Sequence, residues 1–282
     1  MAPSFGRSIS FPLSPARASR PRAAAYHVRS VSLPCRSHPL LSHLCTHISA
    51  VRSWVADPIS ASKGLAHLDA LHAALAELLL LPEAISALKH GSATSTCLLD
   101  GFLVLADAHG AFQEAVVEIN AHASEAQAAL RRGDDSRLAS AVRSLRRAEK
   151  DLARLAASVQ TAIKFPTATL STSTSAAEVE MSGVLAEAVA SAACASAAVF
   201  SAVEAVSASA TAALASKKTV TSSLMSLVKS GKAAAASDED RLEMLQTVES
   251  CVAEMESRSD RVFRSILRTR VALLNIQTQT CC

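Results

Sequence analysis

Between Ser237 and Ile276, apolar side chains recur at Leu242, Leu245, Val248, Val252, Met255, Val262, Ile266, Leu273 and Ile276. The steps are mostly three and four residues, so these side chains fall in one stripe along a single helix. At 1.5 Å per residue such a helix runs for about 60 Å. It cannot bury its own stripe, and the chain must supply partner helices. Ser237-Asp238-Glu239-Asp240 opens it with an N-cap residue and an acidic first turn, which suits the positive end of the helix dipole.

The rest of the chain offers those partners. Half of it is hydrophobic but only 3% is aromatic, and the apolar mass is largely Ala, Leu and Val, a mixture that favours helices. Leu40, Leu41, Leu44, Ile48, Val51 and Val55 predict a first helix, stopped at Asp57-Pro58. A second carries Leu65, Leu68, Leu71, Leu75, Leu78 and Leu79; a short one runs from Pro82 to Lys89, with Gly91 as its cap. Residues 94–132 follow, with Leu98, Leu99, Phe102, Leu105, Phe112, Val116, Ile119 and Leu130 as the stripe. Gly101 and Gly110 inside it point to close helix packing, a break near Gly110 being the alternative. Arg131 to Ser136 reads as a cap, a turn and a new N-cap before a helix over 136–163. Lys164–Glu178 is low-complexity and reads as an internal linker. An Ala/Ser-rich helix over 178–216 comes next, then Ser222–Gly231 as a short helix or loop. The 16 uncharged residues between Glu187 and Glu204 fall short of the ~20 needed to span a bilayer, so no transmembrane helix is expected.

The expected fold is all-α: an elongated helical bundle of long antiparallel hairpins, 94–132 with 136–163 and 178–216 with 237–276. Leu267 is assigned to its core. Residues 38–282 form the helical domain, and residues 1–37 a disordered leader rich in Ser, Pro and Arg. Six of the nine prolines lie within residues 1–39; seven arginines and no acidic residue precede Asp57. The net charge of +3 thus belongs to the leader, and the chain is not read as a nucleic-acid binder.

That leader supports two locations. An acid-free run of Arg, Ser, Pro and Ala over residues 1–25 suits a disordered tail on a cytoplasmic protein; it also suits a chloroplast transit peptide. Arg7-Ser8-Ile9-Ser10-Phe11-Pro12 and Arg29-Ser30-Val31-Ser32-Leu33-Pro34 repeat the pattern R-S-x-S-x-P. With Ser10 and Ser32 phosphorylated, the pattern matches the docking motif of 14-3-3 proteins: phosphate for an Arg cluster, and Pro12 or Pro34 to turn the peptide out of the groove. Serines that kinases reach but no protein reads are the competing interpretation. Seven cysteines, at 35, 45, 97, 194, 251, 281 and 282, form no CxxC pair and read as reduced thiols.

Catalytic signatures are missing from the sequence. His43 and His47 stand at i, i+4, a spacing that zinc accepts, yet no second ligand pair accompanies them. No P-loop, Gly-rich dinucleotide loop or G-x-S-x-G elbow occurs. No enzyme activity, cofactor or metal is therefore expected. Arg258, Arg261, Arg264 and Arg268 line one side of the last helix, either as a solvated face or opposite an acidic partner.

YHVRSVSLPCRSHPL (Tyr26–Leu40), LLDG (Leu98–Gly101) and VFRSILRTRVALLNI (Val262–Ile276) resemble the plant-specific Bypass-like family, whose biochemical function is unknown. The resemblance spans about residues 26–280. It is most specific at Phe263, Arg264, Arg268, Thr269, Arg270, Leu273, Leu274 and Asn275, departing mildly at Ile266-Leu267 and Ala272. It implies a helical protein without known catalytic residues, linked to root and shoot development. The expected function is a non-enzymatic developmental regulator that associates with proteins, 14-3-3 proteins or further copies of itself among them. An enzyme or carrier for a small mobile signalling metabolite, with a pocket between the helices, is the alternative.

Overall fold

The computed structural model describes residues 38–89, 93–162, 176–215 and 237–278. Its elements are α1 (Pro39–Ala56), α2 (Ala61–Leu78), α3 (Pro82–Lys89), α4 (Ala93–Arg132), α5 (Asp135–Ala162), α6 (Ala176–Ala215) and α7 (Asp238–Thr278). No strand occurs among the described residues, and the fold is all-α. The four long helices begin and end within two residues of the segments that periodicity predicts. Several expectations lie outside the described residues: the leader with Arg7, Ser10, Pro12, Arg29, Ser32 and Pro34, the Gly91 cap, residues 164–175 of the linker, Ser222–Gly231 and Cys281-Cys282. The last part of the expected linker, residues 176–178, instead opens α6.

Local chemistry sets the helix ends. Gly133 takes φ 68°, the left-handed conformation that costs glycine little. It lets its own N–H reach the Leu130 carbonyl at 3.2 Å and that of Asp134 reach Ala129 at 3.0 Å, closing α4 with a Schellman turn. Asp134 then caps α5 through Oδ1, which accepts from the Arg137 N–H at 3.0 Å. At the start of α7, Ser237 Oγ accepts from the Asp240 N–H and the Ser237 N–H donates to Asp240 Oδ2 at 2.8 Å. This reciprocal pair holds the Asp240 carboxyl below its usual range.

The α4–α5 hairpin forms as expected; α6 and α7 also run antiparallel and touch, but α6 is not the main partner of α7. α7 lies chiefly along α4 and touches α6 much less. Gln277 Nε2 donates to Ser95 Oγ at one end, Phe263 approaches Gly110 midway, and Ser124 Oγ donates to Glu249 at the other end. The two helices therefore run antiparallel. α6 runs parallel to α4, with His109 opposite Ser196 and Phe112 opposite Phe200. The reason α7 fails to pair fully with α6 is α2, which packs against both helices and takes the seat between them.

Seating α2 there requires a glycine. A Cβ on Gly64 would lie 2.3 Å from Trp54 Cη2 and 2.7 Å from Val199 Cγ2, distances that no real side chain tolerates. Neither of the glycines singled out in α4 breaks it. A Cβ at Gly110 would meet only Phe263, at 3.8 Å, so close packing is not what Gly110 provides. Leu267 is a second correction: it is 38% exposed, while its neighbour Ile266 is fully buried. One residue along a helix turns the side chain by about 100°, and Ile266 is on the inner side of that step.

α6 is long and apolar enough to cross a membrane, and 61% of its most apolar window is buried inside the bundle. Its apolar surface packs on α1, α2, α3, α4, α5 and α7. At the centre, Phe112 and Phe200 stack with centroids 4.6 Å apart, and the His109 ring meets Phe200 edge-on at 5.3 Å. His109 Nε2 is 2.9 Å from Ser196 Oγ. His72 is 1% exposed, lies beside Phe102, and has neither ring nitrogen hydrogen-bonded. Burial lowers the pKa of His72 to about 4 and, with His72 adding repulsion, that of His109 to about 3.

Three outcomes follow from this packing. Gly64→Ala destabilises the protein by about 1–3 kcal/mol through overpacking, whereas Gly183→Ala, with open space around it, stabilises by up to about 1 kcal/mol; denaturant titration of both reads the opposite signs. In the same assay Ile266→Ala costs about 2–5 kcal/mol and Leu267→Ala far less. Both histidines are neutral when folded but take up protons on unfolding below pH 6.5. Stability is therefore fully present above that pH and falls towards pH 4 by about 1 kcal/mol per pH unit for each histidine. His72→Leu flattens that slope in denaturation measured between pH 7 and 4.

Candidate functional site

The exposed apolar side chains of α4 and α7 lie off their core stripes. On α7 they are, apart from Met244 near its start, Leu267, Val271 and Leu274 towards its end, 38%, 54% and 36% exposed, these three spaced four and three residues apart so that they share one face. On α4 they are Leu103 and Val117, two heptads apart with Gly110 midway. Because α4 and α7 run antiparallel and meet at Gly110–Phe263, both sets border the outer groove between the two helices. Val117 also lines a surface hollow of about 490 Å³ in that groove, with Val116, Gln113, Ala253, Glu256 and Arg264 among its other walls. The result is an apolar seam with a charged rim.

The family-like residues divide across this seam. Phe263 packs against the core as a half-buried ring. Thr269 is fully buried and its Oγ1 donates to the Ser265 carbonyl at 2.9 Å, and Leu273 is buried. Arg270 is half-buried, with its Nε enclosed and unbonded. Arg264, Arg268, Leu274 and Asn275 face outward. The motif thus serves both the interior and the surface.

Most of the arginine row expected on α7 is engaged within the chain. Arg261 reaches Asp69 of α2 at 2.8 Å, Arg264 pairs with Asp260 at 2.7 Å, and Arg258 lies 3.9 Å from Glu254. Glu254 also accepts from Ser62 Oγ. For Arg261 the acidic partner is therefore a neighbouring helix, and its pair with Asp69 ties α2 to α7. Being exposed, such pairs add little stability; they fix register.

Other polar groups fall elsewhere. His43 and His47 face one another on exposed α1 with Nε2 atoms 3.1 Å apart. Burial first, and then His43, lowers the pKa of His47. Among the described residues no group of three or more His, Cys, Asp and Glu side chains is arranged to hold a metal ion. Cys45, Cys97, Cys194 and Cys251 are free thiols. Glu149 of α5 is buried, accepts from Ser207 Oγ at 2.8 Å and is reached by Thr211 Oγ1 at 3.4 Å. Burial raises its pKa against the pull of those hydroxyls. It links α5 to α6. A second hollow, about 430 Å³, lies at the surface between Ser60–Ser62 and the Glu243–Met255 stretch of α7.

Sequence periodicity does not single out Leu103, Val117 or Val271, because each lies outside the dominant stripe of its helix. The available signal was a weaker second stripe: Leu103, Gly110 and Val117 at heptad spacing, and Leu267 and Leu274 likewise.

No curated protein and no solved structure matches the chain. A family model does, the one described as Protein BPS1, over residues 64–276. That match runs from α2 to the end of the α7 stripe, and so covers both walls of the seam and most of the bundle. The chain therefore belongs to the BPS1 protein family.

Proposed function

We propose that this protein is a non-enzymatic regulator of plant development that works by binding other proteins along the α4–α7 seam. Membership of the BPS1 family suggests the developmental role; involvement in both root and shoot is our extension of it. The observation that carries the mechanism is the seam itself. Leu103, Val117, Leu267, Val271 and Leu274 expose aliphatic surface along two adjacent helices, where a solvated face would carry charge. Contiguous exposed apolar surface with a polar rim is what protein association uses. An incoming amphipathic helix would lie in the groove, its anchors spaced three and four residues apart.

Regulation through the leader is part of the proposal. Phosphorylation of Ser10 and Ser32 would create two 14-3-3 docking motifs on one segment, and a dimeric reader gains from engaging both. We infer a cytoplasmic location, with chloroplast import as the alternative for a chain whose first 25 residues are cleaved.

The metabolite-carrier reading draws on the two hollows. Both are surface grooves between helices, and neither reaches the aromatic centre formed by Phe102, Phe112 and Phe200. The two readings separate in one experiment with immobilised full-length protein in plant extract. Val271→Asp combined with Leu274→Asp leaves the thermal midpoint almost unchanged, since both positions are exposed, but abolishes retention of proteins that the wild type holds. Equal retention by both forms, together with a small-molecule fraction that raises the melting temperature, would replace association with carriage.

A further inference from the structure

The outward face of α5 carries a row of cations, most of them without a salt-bridge partner. Arg143, Arg146, Arg147, Lys150 and Arg154 are all exposed. At about 100° per residue, four of them, Arg143, Arg147, Lys150 and Arg154, lie within about 40° of the pole opposite buried Leu145 and Leu152. Their spacing of four, three and four residues makes one straight row, about 17 Å long at the helical rise. Arg154 is paired, with its neighbour Asp151. Among the described residues Arg143, Arg146, Arg147 and Lys150 have no salt-bridge partner.

Such a row is not a device for stabilising the helix. Like charges three and four residues apart repel and lower helix stability. The neighbouring helix α6 shows the opposite sign, with Glu178, Glu180, Glu187 and Glu204 and no cation. The α5 row would attract an extended anionic body.

Shape narrows what that body is. The row stands on the convex exterior of a helix, and neither of the two hollows described above is lined by α5. The exposed residues that flank the row on this face, Ser136, Ala139, Ser140, Ala157, Ser158 and Thr161, are small, with no aromatic ring to stack on a base and no large aliphatic side chain to insert into hydrocarbon. Long, solvated cations on a convex line suit many mobile anions that adjust to them, rather than one rigid complementary surface. We propose that the α5 face docks this protein peripherally on an anionic lipid surface, by charge alone and without insertion. This surface is separate from the α4–α7 seam, and each can fail without the other.

The test is co-sedimentation of the full-length chain with vesicles of phosphatidylcholine containing phosphatidylserine at about a third of the lipid. The protein pellets with these vesicles, not with pure phosphatidylcholine, and is released as salt rises to about 0.5 M. The combined variant Arg143→Gln, Arg147→Gln, Lys150→Gln and Arg154→Gln keeps its thermal midpoint but binds at least about tenfold more weakly. Three results overturn the proposal. One is no binding to anionic vesicles; another is binding to an acidic peptide or duplex DNA in its place. The third is vesicle binding equal in wild type and variant, which would assign the attraction to the arginines before Asp57.

Discussion

The burial of α6 is the constraint on which the rest of the structure depends. A helix with little polar surface has little to leave in water, and α6 carries no charge over residues 188–203, where most of its side chains are buried. Six other helices touch it among the described residues. Much of its surface is Ala and Ser, so neighbours approach closely; of the larger side chains, Val199 faces Gly64 of α2 and Phe200 stacks on Phe112 of α4. Polar groups that enter this interior come with partners where they can: Ser196 to His109, Ser207 and Thr211 to Glu149. His72 enters without one, which makes it a cost that the surrounding packing offsets.

Much of this was legible in the sequence, and the failures share one cause. Periodicity locates each long helix because it is a property of a single element, and Gly133 and Ser237 announce helix ends through local chemistry. Pairing is different. The choice of α4 over α6 as the main partner of α7 depends on α2 entering from the far end of the chain, which no local pattern encodes. The same applies to glycine. Gly110 stands in the middle of a long helix and invites a packing role, yet Gly64 has that role because Trp54 and Val199 converge on it in space. Leu267 illustrates the limit within one helix: next to Ile266, in a run of alternating apolar and basic residues, its side is decided by a single step of rotation.

The family-like block at the end of α7 gains a physical division of labour. Thr269 and Leu273 face inward, while Arg264, Arg268 and Leu274 face outward, so the block both anchors the last helix and forms one wall of the seam. Core packing and the exposed apolar face draw on the same fifteen-residue stretch, and substitutions there act on both unless chosen by face.

The position of α2 between α6 and α7 has a consequence for biosynthesis. α1 and α2 leave the ribosome early and pair locally as a hairpin. Their permanent seat, however, is completed only by α7. Until α7 arrives, the leucine-rich face of α2 and the uncharged stretch of α6 have surface without cover, and about 160 residues separate α2 from the helix that closes over it. Contacts between helices this far apart in sequence close late, and until they do the chain carries apolar surface that favours aggregation.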